Sequence, residues 1–367
     1  MPAPRTRDLN LTRQQLRAWL ATQLPSAHDL QITELRGPSE TGFSSDTLMF
    51  DADWSAAGTH ARQGARHRER HRARLVARLK PMGFTVFPTY DVAMQYRVMK
   101  ALDDTDVPVP RMRWLEEDPS VLGVPFYVME RVDGRVPSDN PPYHTGGWVP
   151  ELAPAERTEL WWSGFDAMAR VHRLDWRSLG FDFLAKPERG ASPLAQQLHE
   201  YDEFVDWGMD RRRHPLIERA QGWLHAHQPA DEAVGLCWGD SRLGNQIFNG
   251  TQCVAVIDWE MARLGDPVQD LAWWLALDRC FSEGLSVERL PGLPARHATI
   301  ARWEKLVGRE ARHFAYYEVL GLYKFAAIMS RVIQQMKYYE VFPADSDMDV
   351  NNLATGPLAT TLDEVGP

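Results

Sequence analysis

The strongest constraint on the fold is a change of periodicity part-way along the chain. Up to Val132 the apolar residues fall mainly in short runs bounded by turn residues, at Leu30 to Leu35, Thr47 to Trp54, Arg74 to Leu79 and Pro125 to Val132, as strands require. One helix is expected among them: after Asp91 as N-cap, Val92, Gln95, Tyr96, Met99 and Leu102 recur on one face. Another is expected upstream, where Thr12 and Gln15 have capping-box spacing ahead of Leu16, Trp19 and Leu20, and Pro25 ends the run. From Glu151 the pattern turns to long helical repeats, Glu156 to Leu174 and Ala301 to Tyr339, interrupted by one strand block between Leu236 and Ile257. The expectation is an α+β chain with a small β-rich N-lobe over residues 1–132 and a larger α-rich C-lobe over 133–367, joined near Glu130 to Gly134. A length of 367 residues favours the same division, because single hydrophobic cores stop growing below that size.

Charge narrows the class of partner. Fifty acidic against 41 basic residues give a net charge of −9, which argues against nucleic acid and anionic lipid and for a small ligand. The run from His60 to Arg74 holds six arginines and three histidines opposed only by Glu69, but it has no interleaved aromatics and lies between two expected strands. It reads as a solvated loop or strand end. Cys237, Cys253 and Cys280 lie outside any paired metal-ligand spacing and are expected as reduced core thiols. The N-terminus is polar and no apolar run nears the roughly 18 residues of a membrane span, so a cytoplasmic protein is expected.

The chemistry concentrates in one segment, Leu236-Cys-Trp-Gly-Asp240-Ser-Arg-Leu-Gly-Asn245, followed by a hairpin about Asn249-Gly250 and then Val254-Ala-Val-Ile-Asp258-Trp-Glu260. Such a hairpin leaves Asn245 at the open end of its first strand and Asp258 just past its second, so the two side chains become neighbours. An amide oxygen beside a carboxylate offers hard oxygen ligands that suit Mg²⁺. Asp240, five residues before Asn245 in a glycine-punctuated loop, is close enough to act as base toward a hydroxyl at the same metal. Phosphoryl transfer needs those parts. Taken singly, each of the three is equally a turn or strand-end residue.

Together, Gly239-Asp240-x-x-x-x-Asn245, the hairpin, Ile257-Asp-Trp-Glu and Gly265-Asp-Pro-x-x-Asp270-Leu-Ala resemble the aminoglycoside phosphotransferase-like family, which shares the protein-kinase-like two-lobed fold. The resemblance runs from about Gly37 to the helices after Asp270 and includes Val107-Pro-Val-Pro110 and Ala169-Arg-Val-His172. It implies Asp240 as catalytic base and Asn245 and Asp258 as magnesium ligands. One departure stands out: the family usually has His-Gly-Asp where this chain has Trp238-Gly239-Asp240. Asp266, ahead of Pro267 and Gln269, has the form of an N-cap, and Asp270 either braces the catalytic loop or favours a helix N-terminus. His172 lies on the apolar face of a helix and is expected as a satisfied core residue.

The resemblance also implies an ATP site. No Walker-type P-loop is present; the loop Gly37 to Ser45 is either the phosphate cradle, with donors at Ser44 and Ser45, or an ordinary hairpin loop. Arg78 aligns with the family's phosphate-binding cation, with Lys80 in reserve on the same strand face. The glutamate that usually pairs with that cation is replaced by Gln95, which leaves a neutral hydrogen bond to orient Arg78, or a helix residue at the edge of the apolar face. Glu130 and Val132 match the hinge whose main chain pairs with adenine. The expected activity is transfer of the ATP γ-phosphate, with Mg²⁺, to a hydroxyl of a small molecule. The alternative is a pseudokinase-like nucleotide-binding protein with little catalysis, motivated by Trp238 and Gln95.

Overall fold

The computed structural model describes residues 7–37, 46–57, 68–209 and 214–366. Helix α1 (Leu9–Gln23) starts earlier than the capping-box spacing implied. Asp8 is the N-cap, its carboxylate accepting the N–H groups of Asn10 and Leu11, while Thr12 turns its hydroxyl back onto the Asp8 carbonyl. Helix α2 (Val92–Leu102) forms where expected, with Asp91 accepting the Met94 N–H.

Between these helices lies an antiparallel sheet in the order β1-β2-β3-β5-β4, comprising β1 (His28–Ile32), β2 (Asp46–Ala57), β3 (Arg68–Leu79), β4 (Met112–Glu116) and β5 (Phe126–Glu130). Strand β4 was not expected; it is a short edge strand defined by its pairing with β5. The part of the basic run from Arg68 to Arg74 belongs to β3, and His60 to His67 lie outside the described residues. Arg72 and Arg74 stand opposite Asp53 and Asp51 of β2, and Arg72 pairs with Asp51 at 2.6 Å.

Alternation along β3 and β5 divides the sheet's two faces. Leu75, Ala77 and Leu79, with Phe126 and Val128, pack under Leu16, Trp19 and Leu20 of α1. Val76, Tyr127 and Met129 face the other way, joining Val98, Met99 and Leu102 of α2 in a core continuous with the helical body. Arg78 is two residues on from Val76 and directly opposite Tyr127, so it points from the inner face toward that body.

The C-lobe is built from α3 (Pro154–His172), α4 (Pro193–Gly208), α5 (Pro215–Ala226), α6 (Val268–Ser282), α7 (Arg296–Val307), α8 (Phe314–Tyr338) and α9 (Thr355–Val365). The single helix expected over Ala301 to Tyr339 is two: the chain turns at Gly308, whose φ of +78° is a left-handed C-cap that glycine adopts without strain. Two short antiparallel pairs sit against these helices, β6 (Gly235–Cys237) with β9 (Arg263–Gly265) and β7 (Gln246–Asn249) with β8 (Gln252–Val256). All three cysteines are buried and free, as expected. Past β5, Arg135 exchanges two main-chain hydrogen bonds of 2.8 Å with Phe248, and the Val256 N–H donates to the Pro108 carbonyl at 2.7 Å, which docks the β7–β8 hairpin onto the N-lobe. Among the described residues no helix is long and apolar enough to cross a membrane.

Candidate active site

The β7–β8 hairpin sets the register that sequence alone left open. Its ladder runs from Asn249 opposite Gln252 to Gln246 opposite Val256, and one step further the Ile257 N–H donates to the Asn245 carbonyl at 3.0 Å. Asn245 and the Asp258 that follows Ile257 are thereby held at the same open end. The turn differs from the expected Asn-Gly type: Gly250 is the first loop residue and has φ of +59°, while Asn249 ends the strand. Asp258 leaves the hairpin with φ of +61°, an uncommon conformation for a residue with a side chain, held by its surroundings.

The loop carrying Asp240 is pressed against the segment after Asp258. A Cβ on Gly239, whose φ is +93°, would lie 2.1 Å from the Met261 carbonyl oxygen, so only glycine permits the approach. The Asp240 carboxylate receives Arg242 Nε at 3.0 Å on each oxygen, Trp273 Nε1 at 2.9 Å on Oδ1 and Asn245 Nδ2 at 2.7 Å on Oδ2. Asn245 Nδ2 also donates to the Asp240 carbonyl at 3.1 Å. Both partners are acceptors only, so the amide orientation is decided and Oδ1 is the atom left for another ligand. Arg242 bridges onward to Asp139, whose carboxyl is raised above its ordinary range chiefly by burial, against the lowering pull of Arg242. Arg242 and Asp139 were not singled out from sequence; Arg242's place two residues after Asp240 in the same loop was the available clue.

Asp270 braces this loop from below. Its oxygens accept the main-chain N–H groups of Trp238 at 2.6 Å and Gly239 at 2.9 Å, and His172 Nε2 lies 3.0 Å from Oδ2. Trp303 Nε1 donates to His172 Nδ1 at 2.8 Å; an indole can only donate, so the imidazole proton sits on Nε2 and points at Asp270. His172 is therefore the satisfied core residue expected. Asp266 caps α6 through the Val268 N–H at 3.0 Å and pairs with Arg309. Trp238, in the position usually held by histidine, is fully buried and directs its Nε1–H to the carbonyls of Ile257 at 3.0 Å and Asp258 at 3.3 Å. It clamps the main chain at Asp258.

From the N-lobe, Arg78 reaches across with Nη2 3.2 Å from Asp258 Oδ1, while Nη1 donates to Thr47 Oγ1 at 2.9 Å. Gln95 is buried and takes the Tyr127 hydroxyl at 3.3 Å, and Tyr127 in turn bonds to Arg78. The expected neutral contact between Gln95 and Arg78 thus runs through a phenol. Burial, against the opposing charge of Arg78, pushes that phenol up to about 12. Lys80 instead lines a cleft of about 660 Å³ with Glu260, Arg263 and Tyr201. At the hinge, the Glu130 N–H is taken by the Arg111 carbonyl, whereas among the described residues nothing engages the Val132 main chain. Ser44 and Ser45 lie outside the described residues.

The sequence model of the phosphotransferase enzyme family matches residues 53–311. The chain belongs to the phosphotransferase enzyme family. Curated relatives include acyl-CoA dehydrogenase family member 10 of Mus musculus, 30% identical over 65% of this chain and 21% of that protein, and family member 11 of Rattus norvegicus, 27% identical over 78% and 36%. The chain thus spans about a fifth to a third of the length of these relatives. Among solved structures, a candidate aminoglycoside phosphotransferase from Ralstonia eutropha superposes with a TM-score of 0.67 at 23% identity, covering 95% of this chain and 97% of that one. A thermostable mutant aminoglycoside phosphotransferase, solved with AMP-PNP and hygromycin B, gives 0.51 at 14% identity over 96% and 99%. These likenesses show the protein-kinase-like fold: an antiparallel sheet lobe over a helical one.

In this member of the phosphotransferase enzyme family the donor set at the hairpin fits Mg²⁺. Asn245 Oδ1 and the Asp258 carboxylate are hard oxygens, and Asn245 is only 4% exposed, so its oxygen has a defined direction. Among the described residues no cluster of three or more His, Cys, Asp or Glu could enclose a metal alone. A site of two protein oxygens suits an ion that keeps waters and shares phosphate oxygens with a substrate.

Proposed function

We propose that this phosphotransferase transfers the γ-phosphoryl group of ATP, with Mg²⁺, to a hydroxyl of a small molecule. The observation that carries the reading is the convergence of Asp240, Asn245, Asp258 and Arg78 at one point between the lobes, the boundary falling after Val132. When bound, Mg²⁺ neutralises β- and γ-phosphate charge. Asn245 Oδ1 and Asp258 are the residues to hold it. Arg78, released from Asp258, contacts phosphate oxygens; Gln95 and Tyr127 keep it aimed. Asp240 accepts the proton of the acceptor hydroxyl as the new O–P bond forms and the bond to the leaving ADP breaks. Arg242, Trp273 and Asn245 hold that carboxylate in one orientation, which is where positioning lowers the barrier. The Glu130 and Val132 main chain is assigned to adenine and the Gly37 to Ser45 loop, with Ser44 and Ser45, to the phosphates.

The rival reading, nucleotide binding with little catalysis, rested on Trp238 and Gln95. The clamp of Trp238 on Asp258 and the Gln95–Tyr127–Arg78 chain support the catalytic reading instead. ADP release measured with Mg²⁺ and ATP across a library of hydroxyl compounds tests it. At least one acceptor is expected to be phosphorylated, with Asp240→Ala slower by about 10²- to 10⁴-fold. Turnover that survives in Asp240→Ala would refute the role of Asp240.

A further inference from the structure

Lys324 is a buried cation for which the mechanism above has no use. It lies in the middle of α8, is 3% exposed, and among the described residues forms neither a hydrogen bond nor an ion pair. Its ammonium sits instead against two rings, 4.9 Å from the centroid of Trp273 and 5.3 Å from that of Tyr201. The neighbouring carboxylates are already occupied. Asp240 takes Arg242, Trp273 and Asn245; Asp270 takes His172 and two main-chain N–H groups; Glu200 takes Arg263 and Lys186.

An unpaired buried charge is costly, so a lysine kept in such a place points to a partner that arrives from outside. Its location says which. The indole that carries Lys324 on its face is the one whose N–H holds Asp240 Oδ1, whereas Asn245 holds Oδ2. Lys324 is therefore one indole away from the base, on the flank opposite the metal-binding side. Tyr201, the second ring, and Arg263 both line the cleft of about 660 Å³. Aromatic faces fix an ammonium without neutralising it, which leaves its charge for an anion.

We propose that Lys324 is the anion-binding residue of the acceptor site, holding a carboxylate or phosphate of the acceptor while Asp240 addresses its hydroxyl. This rests on the phosphotransfer reading for the role of Asp240, and it selects the substrate class: hydroxyl compounds that carry a negative charge. Burial above all, and the charge of Arg263, push the Lys324 amine down to about 7, against the raising pull of Asp270, Cys237 and Asp240. Among the described residues, these groups and Tyr201 face it from β6, β9, α4, α6 and the catalytic loop. An arriving anion favours the charged form.

The test uses the full chain as wild type, Lys324→Met and Lys324→Arg. With Mg²⁺ and AMP-PNP bound, propionate and inorganic phosphate serve as probes of the two anion sources. Each raises the melting temperature of the wild type and of Lys324→Arg if its chemistry fits; no shift from either probe, or equal shifts in Lys324→Met, overturns the proposal. In turnover, lactate is compared with methyl lactate and glycerol phosphate with glycerol, alongside any library hits. For anionic acceptors Lys324→Met raises KM by about 10- to 100-fold, the loss of one charged hydrogen bond, with kcat and the KM for ATP little changed. A preferred acceptor that is neutral or cationic overturns it, as does an equal KM rise for the charged and neutral member of a pair. The two arms fail separately: absence of any phosphorylated acceptor removes the phosphotransfer reading and leaves the anion-dependent melting shift to decide Lys324.

Discussion

Asp270→Asn isolates the brace beneath the catalytic loop. The substitution keeps the shape of the side chain and replaces one acceptor oxygen by an NH₂ group. Three donors converge on this carboxylate, from Trp238, Gly239 and His172, and the residue is 1% exposed. If the NH₂ replaces Oδ2 it faces two donors; if it replaces Oδ1 it faces only the Gly239 N–H, so the second orientation costs less. It still leaves two buried groups unsatisfied, at about 1–3 kcal/mol each, and removes the charge from the remaining bonds. The expected loss is about 3–5 kcal/mol, a large part of the stability of an ordinary domain. At about 2–4 °C per kcal/mol the melting temperature should fall by roughly 6–20 °C. Asp240 follows Gly239 directly, so turnover should fall with it. Asp266→Asn is the control, because it sits at the same end of α6 but bonds Val268, Ala233 and Arg309 rather than the catalytic loop. If Asp270 served only the helix dipole, the two variants would lose similar stability and neither would lose turnover. Equal behaviour in calorimetry and in ADP release would refute the brace.

Three other expectations follow from single contacts. Trp238→Phe removes the N–H that holds the Ile257 and Asp258 carbonyls and leaves a small void; we expect a loss of about 2–3 kcal/mol by urea denaturation and a higher Mg²⁺ requirement. Arg78→Met should weaken nucleotide binding by about 10- to 100-fold in a titration followed by calorimetry, and unchanged affinity would remove Arg78 from the phosphate site. For Lys324 the sign is worked from its lowered pKa of about 7: between that value and the ordinary lysine range the unfolded chain binds the extra proton, so the wild type gains stability as pH rises and carries the full penalty below pH 7. Lys324→Met should therefore be more stable than the wild type by on the order of 4 kcal/mol at pH 6, with the gap closing toward pH 10; a gap independent of pH would contradict the buried charge.

Much of the site was readable because it is local. Asp240, Asn245 and Asp258 lie in one loop and the hairpin that follows, and hairpin geometry brings such residues together without help from the rest of the chain. The α+β division was equally local, since the period of the apolar pattern is a property of neighbouring residues. Errors arose where local alternatives were close in energy: Asp8 displaced Thr12 as the cap of α1, Gly308 split the long helix, and β4 exists because β5 offers it a partner.

What sequence suggested by itself, then, was the α+β division, the proposed base and proposed metal-binding pair, and the phosphotransfer class that such a set suits. Tertiary structure alone decided how those groups are held and what surrounds them. Arg78 meets Asp258 across 180 positions, Asp270 meets His172 across 98, and Arg242 meets Asp139 across 103. Only the folded chain shows that Trp238 clamps the main chain at Asp258 and that Lys324 is buried with no counter-ion among the described residues. The physical reason is that pairing and desolvation depend on which surfaces meet, and residues far apart in sequence carry no local pattern that says where they will stand.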